Sequence, residues 1–393
     1  MKSYGPDLAS SVLAVSQSRI RELADIAMSM EGVLRLYFGE SNLSTPDYIK
    51  DAAIRALSDG YTFYTENAGL PSLRRAIAEK YREIHDVSPD PGEQIVVTAS
   101  GVQALNVGIR CVLNPGDDAI VLTPAWPNAA EIIGMCSARA VQVPLTLSGT
   151  RHAIDFGAIE AGITERTRLI VYTSPSNPLG WVATEEDQER LLDTCRRHRL
   201  WLLADEVYER IFYRGQVAPS VLRKCSPGDA VIVVNSFSKS YCMTGWRLGW
   251  LVSRADLARK AAQLNEFIVS HAPSMAQKAG ETALRDGETE IRAMVDRLRT
   301  SRDFVREGLL RMPGITVPDA DGAFYLFPRI SGVRDSFEFC RRLLVEEKVG
   351  IAPGVAFGAG GEGSVRICFA AEMSVLEPAL ERLASFLRRH SEP

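Results

Sequence analysis

The sequence predicts an α/β fold, with a mostly parallel sheet under helices in a large domain and a smaller α+β domain beside it. Three observations carry that prediction. The chain has 393 residues, 46% hydrophobic and 24% charged, enough to bury a large core and to divide into two domains. Through its middle, short continuous apolar runs alternate with helical patterns, as expected of parallel strands buried on both faces. From about residue 286 the pattern changes to a long charged helix followed by isolated strand-like runs, which reads as α+β.

The apolar runs are residues 94–99, 119–123, 140–144, 169–174, 200–204, 230–235 and 248–252. Each is rich in branched residues and short enough to be a strand. Beyond them come a helix over 288–311, strand-like 324–327 and 364–369, and helices between and after. The large domain is therefore expected over residues 46–285, and the small domain over 286–393 joined by the N-terminal segment 1–45. Turn signals fall where such a fold needs them: Asn114-Pro115-Gly116-Asp117 before a strand, Ser176-Asn177-Pro178-Leu179-Gly180 after one, and Ala352-Pro353-Gly354. Residues that follow strands are the ones to read for function, because open α/β sheets bind ligands beyond the carboxyl ends of their strands.

Composition narrows the partners. A formal net charge of -4 and a pI near 5.9, with arginines interspersed among acids, leave no basic footprint for nucleic acid or an anionic membrane. Small polar ligands are the expected partners. Ser10, Ser11, Ser16, Gln17, Ser18 and Arg19 interrupt the apolar stretches at the N-terminus, so no signal peptide is expected. No apolar run approaches the ~20 residues of a membrane helix. The seven cysteines are scattered, with no C-x-x-C pair, which argues against a disulfide framework and a zinc site and fits a reducing cytoplasm. The five histidines, His271 among them, lack ligand-like spacing, and no metal is expected.

The chemistry concentrates at strand ends. In Asn235-Ser236-Phe237-Ser238-Lys239-Ser240 a lysine follows a buried strand; Asp205 follows the strand 201–204, and Asn177 follows the strand 169–174. An amine, an acid and an amide thus meet at one rim. A lysine amine can join a cofactor aldehyde, and an acid beside a pyridine nitrogen keeps it protonated, so the set suits pyridoxal 5′-phosphate. Tyr208, expected one helical turn beyond Asp205, could reach the cofactor's phenolic oxygen with Asn177. Taken singly, Asp205 reads equally as a capping acid, Asn177-Pro178 as a turn, and Tyr208 as a core aromatic. A phosphate anchor is available in Thr98-Ala99-Ser100-Gly101-Val102, a strand, Gly-containing turn and helix start, and in Arg247 between Gly245 and Gly249. Judged locally, Ser100 is as good an N-cap as a phosphate ligand. Gly358-Ala359-Gly360-Gly361-Glu362-Gly363 satisfies G-x-G-x-x-G, yet it precedes a strand and opens no helix, so the dinucleotide motif fails its structural requirement.

Ser236-Phe237-Ser238-Lys239 followed by Gly245-Trp246-Arg247-Leu248-Gly249, with Asp205-Glu206-Val207-Tyr208 and Ser176-Asn177-Pro178 in that order, resembles the class I/II aminotransferase family of fold-type I pyridoxal-phosphate enzymes. The resemblance spans residues 16–369. It implies that Lys239 is the Schiff-base lysine, Asp205 the pyridinium partner, and Asn177 and Tyr208 the ligands of the phenolic oxygen. It assigns the phosphate to Ser100, Gly101, Val102, Ser236 and Arg247, and ring stacking to Trp126. Arg366 and Gly39 would hold the substrate α-carboxylate, Arg366 through a planar two-point contact. Tyr64 would reach the neighbouring subunit's phosphate, implying a homodimer with shared sites. Ser41-Asn42 after Gly39-Glu40, Leu179 and Ala129 depart from the family's common residues and remove no catalytic group, though they lie in loops that select the side chain.

The function implied is ping-pong transamination between L-amino acids and 2-oxo acids. By resemblance to the aspartate aminotransferase branch, the favoured substrates are aspartate or glutamate with 2-oxoglutarate. The alternatives are an aromatic or other neutral amino donor, a carbon–sulfur β-lyase on the same scaffold, and a non-catalytic pyridoxal-phosphate sensor, which the charge and short N-terminus disfavour.

Overall fold

The computed structural model describes residues 8–390. Its central sheet has seven strands: β1 (Ile95–Thr98), β2 (Asp118–Thr123), β3 (Arg139–Pro144), β4 (Thr167–Thr173), β5 (Trp201–Asp205), β6 (Val231–Ser236) and β7 (Gly249–Ser253). The order is β1-β7-β6-β5-β4-β2-β3; β7 runs antiparallel to both neighbours and the other pairings are parallel. Every apolar run read as a strand is one, to within two residues at each end. The physical reason is visible in β6, where Val231 and Val233 pack into one core and Ile232 and Val234 into the core on the opposite face. A strand buried on both faces has no polar alternation to display.

The helices that matter below are α1 (Arg19–Met28), α2 (Pro71–His85), α3 (Gly101–Arg110), α4 (Glu185–His198), α5 (Glu288–Leu310), α6 (Ser336–Glu347) and α7 (Met373–His390). Helix α4 illustrates how locally its ends are encoded. Thr184 and Asp187 form a reciprocal capping box, acids fill the first turn and Arg196, Arg197 and His198 the last, all favourable to the helix dipole.

Outside the central sheet, β8 (Tyr325–Leu326), β9 (Ala352–Pro353) and β10 (Val365–Cys368) form an antiparallel sheet in the order β8-β10-β9. The strand-like runs 324–327 and 364–369 thus shrink to two and four residues. The N-terminal segment meets this region: Leu34–Arg35 pairs in parallel with Val349–Gly350, and α1 packs on α6 and β9. Residues 358–363 are loop and turn ahead of β10. Glu362 there accepts the Ser336 N–H at 2.7 Å, a structural use for the segment that mimics a dinucleotide motif.

Candidate active site

Sheet register assembles the site. Thr173 pairs with Asp205 across β4 and β5, and Asp205 with Val234 across β5 and β6, so the chain leaves three adjacent strands at nearly one level. On the other side of β6, Gly249 of β7 pairs with Ser236 and also with Thr98 of β1. This row brings the Ser100–Gly101 turn, Ser236 and Arg247 together. Only glycine fits at its centre: a Cβ on Gly249 would lie 2.5 Å from the Gly101 nitrogen and 2.8 Å from the Asn235 carbonyl. Above these strand ends opens a cavity of about 550 Å³, lined by Lys239, Asp205, Tyr208, Asn177, Trp126, Arg247, Arg366, Gly39, Ser100, Gly101, Val102 and Ser236, among others.

Lys239 donates a hydrogen bond from Nζ to the Gly39 carbonyl at 2.7 Å. Enclosure by the protein pushes its pKa down to about 8, with Arg366 and Arg247 adding to the shift against opposing pulls from Cys368 and Glu40. An amine near neutrality is the state that nucleophilic and proton-transfer chemistry need. Asp205 is buried and its carboxyl is pushed up to about 6, mainly by burial, against the Val207 N–H and the charge of Lys239. Its Oδ1 accepts only the Val207 N–H, at 3.3 Å, and no cation lies within ion-pair distance among the described residues.

Arg366 is buried and lines the cavity, its guanidinium 4.5 Å from the Tyr325 ring centroid and 4.9 Å from that of Phe357. One Nη donates to Asn177 Oδ1 at 2.8 Å and the other to the Tyr37 carbonyl. Its Nε–H has no partner. A buried guanidinium with a spare donor edge is suited to a planar carboxylate. Tyr208 and Tyr325 share a hydroxyl–hydroxyl bond of 2.7 Å. Burial raises the Tyr208 phenol well above its ordinary value, which keeps it a neutral donor. A side chain at Gly39 would collide with the Tyr325 hydroxyl, so this backbone reaches the cavity only as glycine.

The opposite end is suited to an anion. Ser100, at φ +121°, turns the chain into α3, and its Oγ accepts the Gln103 N–H at 3.2 Å. The capping role is therefore real, and Ser100, Gly101 and Val102 line the cavity as well. Arg247, in the left-handed region at φ +54°, donates to the Thr244 carbonyl at 2.7 Å and pairs with no acid among the described residues. The residues present fit pyridoxal phosphate: unpartnered helix amides and a guanidinium without an acid partner for a phosphate, an unpaired buried carboxylate for a pyridinium, and an amine of lowered pKa for an aldehyde.

One expectation turns out differently in detail. Tyr208 does not sit on a helix after Asp205. Residues 207–210 form a turn, held by Glu209, whose carboxylate is gripped by Lys80 and by His85 of α2, and by Arg210, which pairs with Glu288 of α5 at 2.6 Å. Tyr64 is 90% exposed and lies outside this subunit's cavity, its ring edge-on to His271. Sequence reading missed Tyr325, Tyr37, Phe38, Ser238, Asn128 and Arg21, all of which line the cavity. Tyr325 and Arg21 carry no local motif and come close only through tertiary packing.

A family model described as aminotransferase class I and II matches residues 32–383. The chain is 35% identical over 383 residues to an aspartate aminotransferase of Pyrococcus horikoshii, covering 97% of each. It is 33% identical over 377 residues to aromatic-amino-acid aminotransferase 2 of Thermococcus litoralis, covering 95% of this chain and 96% of that one. The solved aspartate aminotransferase of Rhizobium meliloti superposes with a TM-score of 0.92 at 31% identity, over 98% of this chain and all of that one.

Proposed function

Because the chain belongs to the class I and II aminotransferase family, whose members use pyridoxal phosphate, we propose that it moves amino groups between aspartate or glutamate and 2-oxoglutarate by a ping-pong mechanism. The observation that carries this reading is one cavity holding the near-neutral amine of Lys239, the unpaired carboxylate of Asp205 and the spare donor edge of Arg366. Pyridoxal phosphate, when bound, supplies a carbonyl carbon for the amino group and a ring that accepts the electrons of a broken Cα–H bond. Lys239 would anchor it through its amine and, once freed by the substrate, would serve as the base and acid that moves the substrate's Cα proton. Asp205 would hold the pyridine nitrogen protonated. Asn177 and Tyr208 would hydrogen-bond the phenolic oxygen, and Trp126 would stack on the ring. Ser100, Gly101, Val102, Ser236 and Arg247 would hold the phosphate, while Arg366 and Gly39 would orient the α-carboxylate.

The preference for acidic substrates is supported by the lining, in which Arg21, Lys239, Arg247 and Arg366 face a single acid, Asp205, and by the name of the Pyrococcus relative. A homodimer is part of the same reading. Tyr64 at 90%, Phe63 at 80% and Phe267 at 85% exposure are large aromatics left uncovered by one chain, and a second copy covering them would bring Tyr64 to its neighbour's phosphate. Adding amino acids singly to the cofactor-loaded enzyme tests the substrate class. Aspartate and glutamate should bleach the absorbance of the lysine-bound cofactor fastest. Bleaching by aromatic or small neutral amino acids with none by acidic ones would overturn the acidic assignment.

A further inference from the structure

The cavity's charges outnumber the groups already assigned to them. Three of its four cations have a ligand in the proposed function, Lys239 the cofactor carbonyl, Arg247 the phosphate and Arg366 the α-carboxylate. Arg21 has none. It stands in the first turn of α1, where its backbone N–H donates to the N-cap Ser18 at 3.3 Å, and Ser18, Ile20 and Arg21 all face the cavity. Its guanidinium lies 5.6 Å from the centroid of the Phe38 ring. Phe38 precedes Gly39, whose carbonyl accepts the Lys239 amine, so the cation is held on the side of the cavity where the substrate's Cα must sit.

No acid pairs with Arg21 among the described residues, whereas Arg19, two residues earlier, is paired with Glu22 at 3.1 Å and stacked on Phe337. The adjacent acid, Glu22, is committed to Arg19, and Asp25, one turn on, is not within ion-pair distance of Arg21 among the described residues. The other cation that acts with Arg21 on the Tyr37 phenol, Arg35, is of the same sign and is absent from the lining. Arg21 is solvent-exposed on its outer side, and a cationic fork that also lines the cavity, paired with no acid and resting on an aromatic face, is suited to a planar anion.

We propose that Arg21 is the residue that selects the substrate side chain, by pairing with the distal carboxylate of a dicarboxylic amino acid or 2-oxo acid. The assignment rests on the acidic-substrate reading above. It also gives α1, packed against α6 and β9, a role in substrate choice.

The test compares wild type with Arg21→Met and Arg21→Lys in the cofactor-loaded enzyme. For Arg21→Met, kcat/KM for aspartate and glutamate should fall about tenfold or more, as expected for loss of a charge-assisted two-point contact. That for alanine or phenylalanine should change less than about twofold. Arg21→Lys should recover part of the loss. Calorimetry with unreactive acids gives a readout independent of turnover: wild type should bind succinate more tightly than butyrate, and Arg21→Met should abolish the difference. Equal losses for acidic and neutral donors, or an unchanged succinate preference, would overturn the role of Arg21. If wild type itself ignores acidic donors, the acidic-substrate reading fails first, and that result is distinguishable because it needs no variant.

Discussion

Asp205 is a buried carboxylate whose ordinary pKa of 3.8 is pushed up to about 6 by burial, and that displacement governs how the cofactor-free protein responds to pH. Between pH 4 and 6 the folded chain binds the proton that the unfolded chain releases, so stability from this group is lost as pH rises through that window. The full cost, roughly 3 kcal/mol for a rise of this size, is in force above a pH of about 6. Asp205→Asn should therefore match the wild-type apoprotein near pH 4 and exceed it in urea resistance at pH 8. In the loaded enzyme the same change should cost ~10² or more in rate, because the pyridine nitrogen loses its charged partner. A stability difference that does not grow between pH 4 and 6 contradicts the burial argument. Lys239→Ala should abolish turnover yet keep the cofactor bound without a covalent link. Borohydride reduction of the native enzyme should label Lys239 and no other lysine. These two residues were legible in the sequence because each follows directly on an apolar strand. Arg21 and Tyr325 were not, since their neighbours in the cavity lie far away in the chain.

At the scale of elements, the β1–β7–β6 row and the turn after β5 hold the site in shape. Gly249→Ala puts a methyl against backbone atoms of Gly101, Ser100 and Asn235, none of which can rotate away. The Ser100–Gly101 turn must move, and we expect at least tenfold weaker cofactor binding with ~1–3 kcal/mol lost from stability, measured by fluorescence titration and chemical unfolding. The turn carrying Tyr208 depends on Glu209. Despite burial, the charges and hydrogen bonds of Lys80 and His85 hold its carboxyl down at about 2. Glu209→Gln leaves the buried Lys80 ammonium uncompensated and should cost ~3–5 kcal/mol; a loss below about 1 kcal/mol would rule out this clamp. Most strand positions were readable because double-sided burial removes polar residues from the run, while the edge strand β3, with exposed Gln142, was readable from its alternating valines. The turn at 207–210 was read as helix because what holds it, Lys80, His85 and Glu288, lies at least 78 residues away in sequence.

For the whole molecule, the proposed homodimer makes a sharp claim about Tyr64. If it crosses to the neighbour's phosphate, mixing Tyr64→Phe with Lys239→Ala subunits yields heterodimers with one doubly damaged site and one intact site. Activity should reappear with wild-type cofactor affinity at half the sites. Finding only weakened sites after verified subunit exchange would place Tyr64 in its own subunit's function. The proposed division into residues 46–285 and the two flanking segments is consistent with the central sheet lying wholly within 95–253, and the pairing of Leu34–Arg35 with Val349–Gly350 gives the N-terminal segment its place beside the C-terminal one. The central claim is that an amino group is exchanged and no side-chain bond is broken, which a single-turnover experiment tests most directly. Loaded enzyme mixed with glutamate and no acceptor should release one 2-oxoglutarate per active site and stop, then resume when oxaloacetate is added. Continuous release of oxo acid and ammonia from a substrate with a β-leaving group, with no stoichiometric burst from glutamate, would contradict transamination.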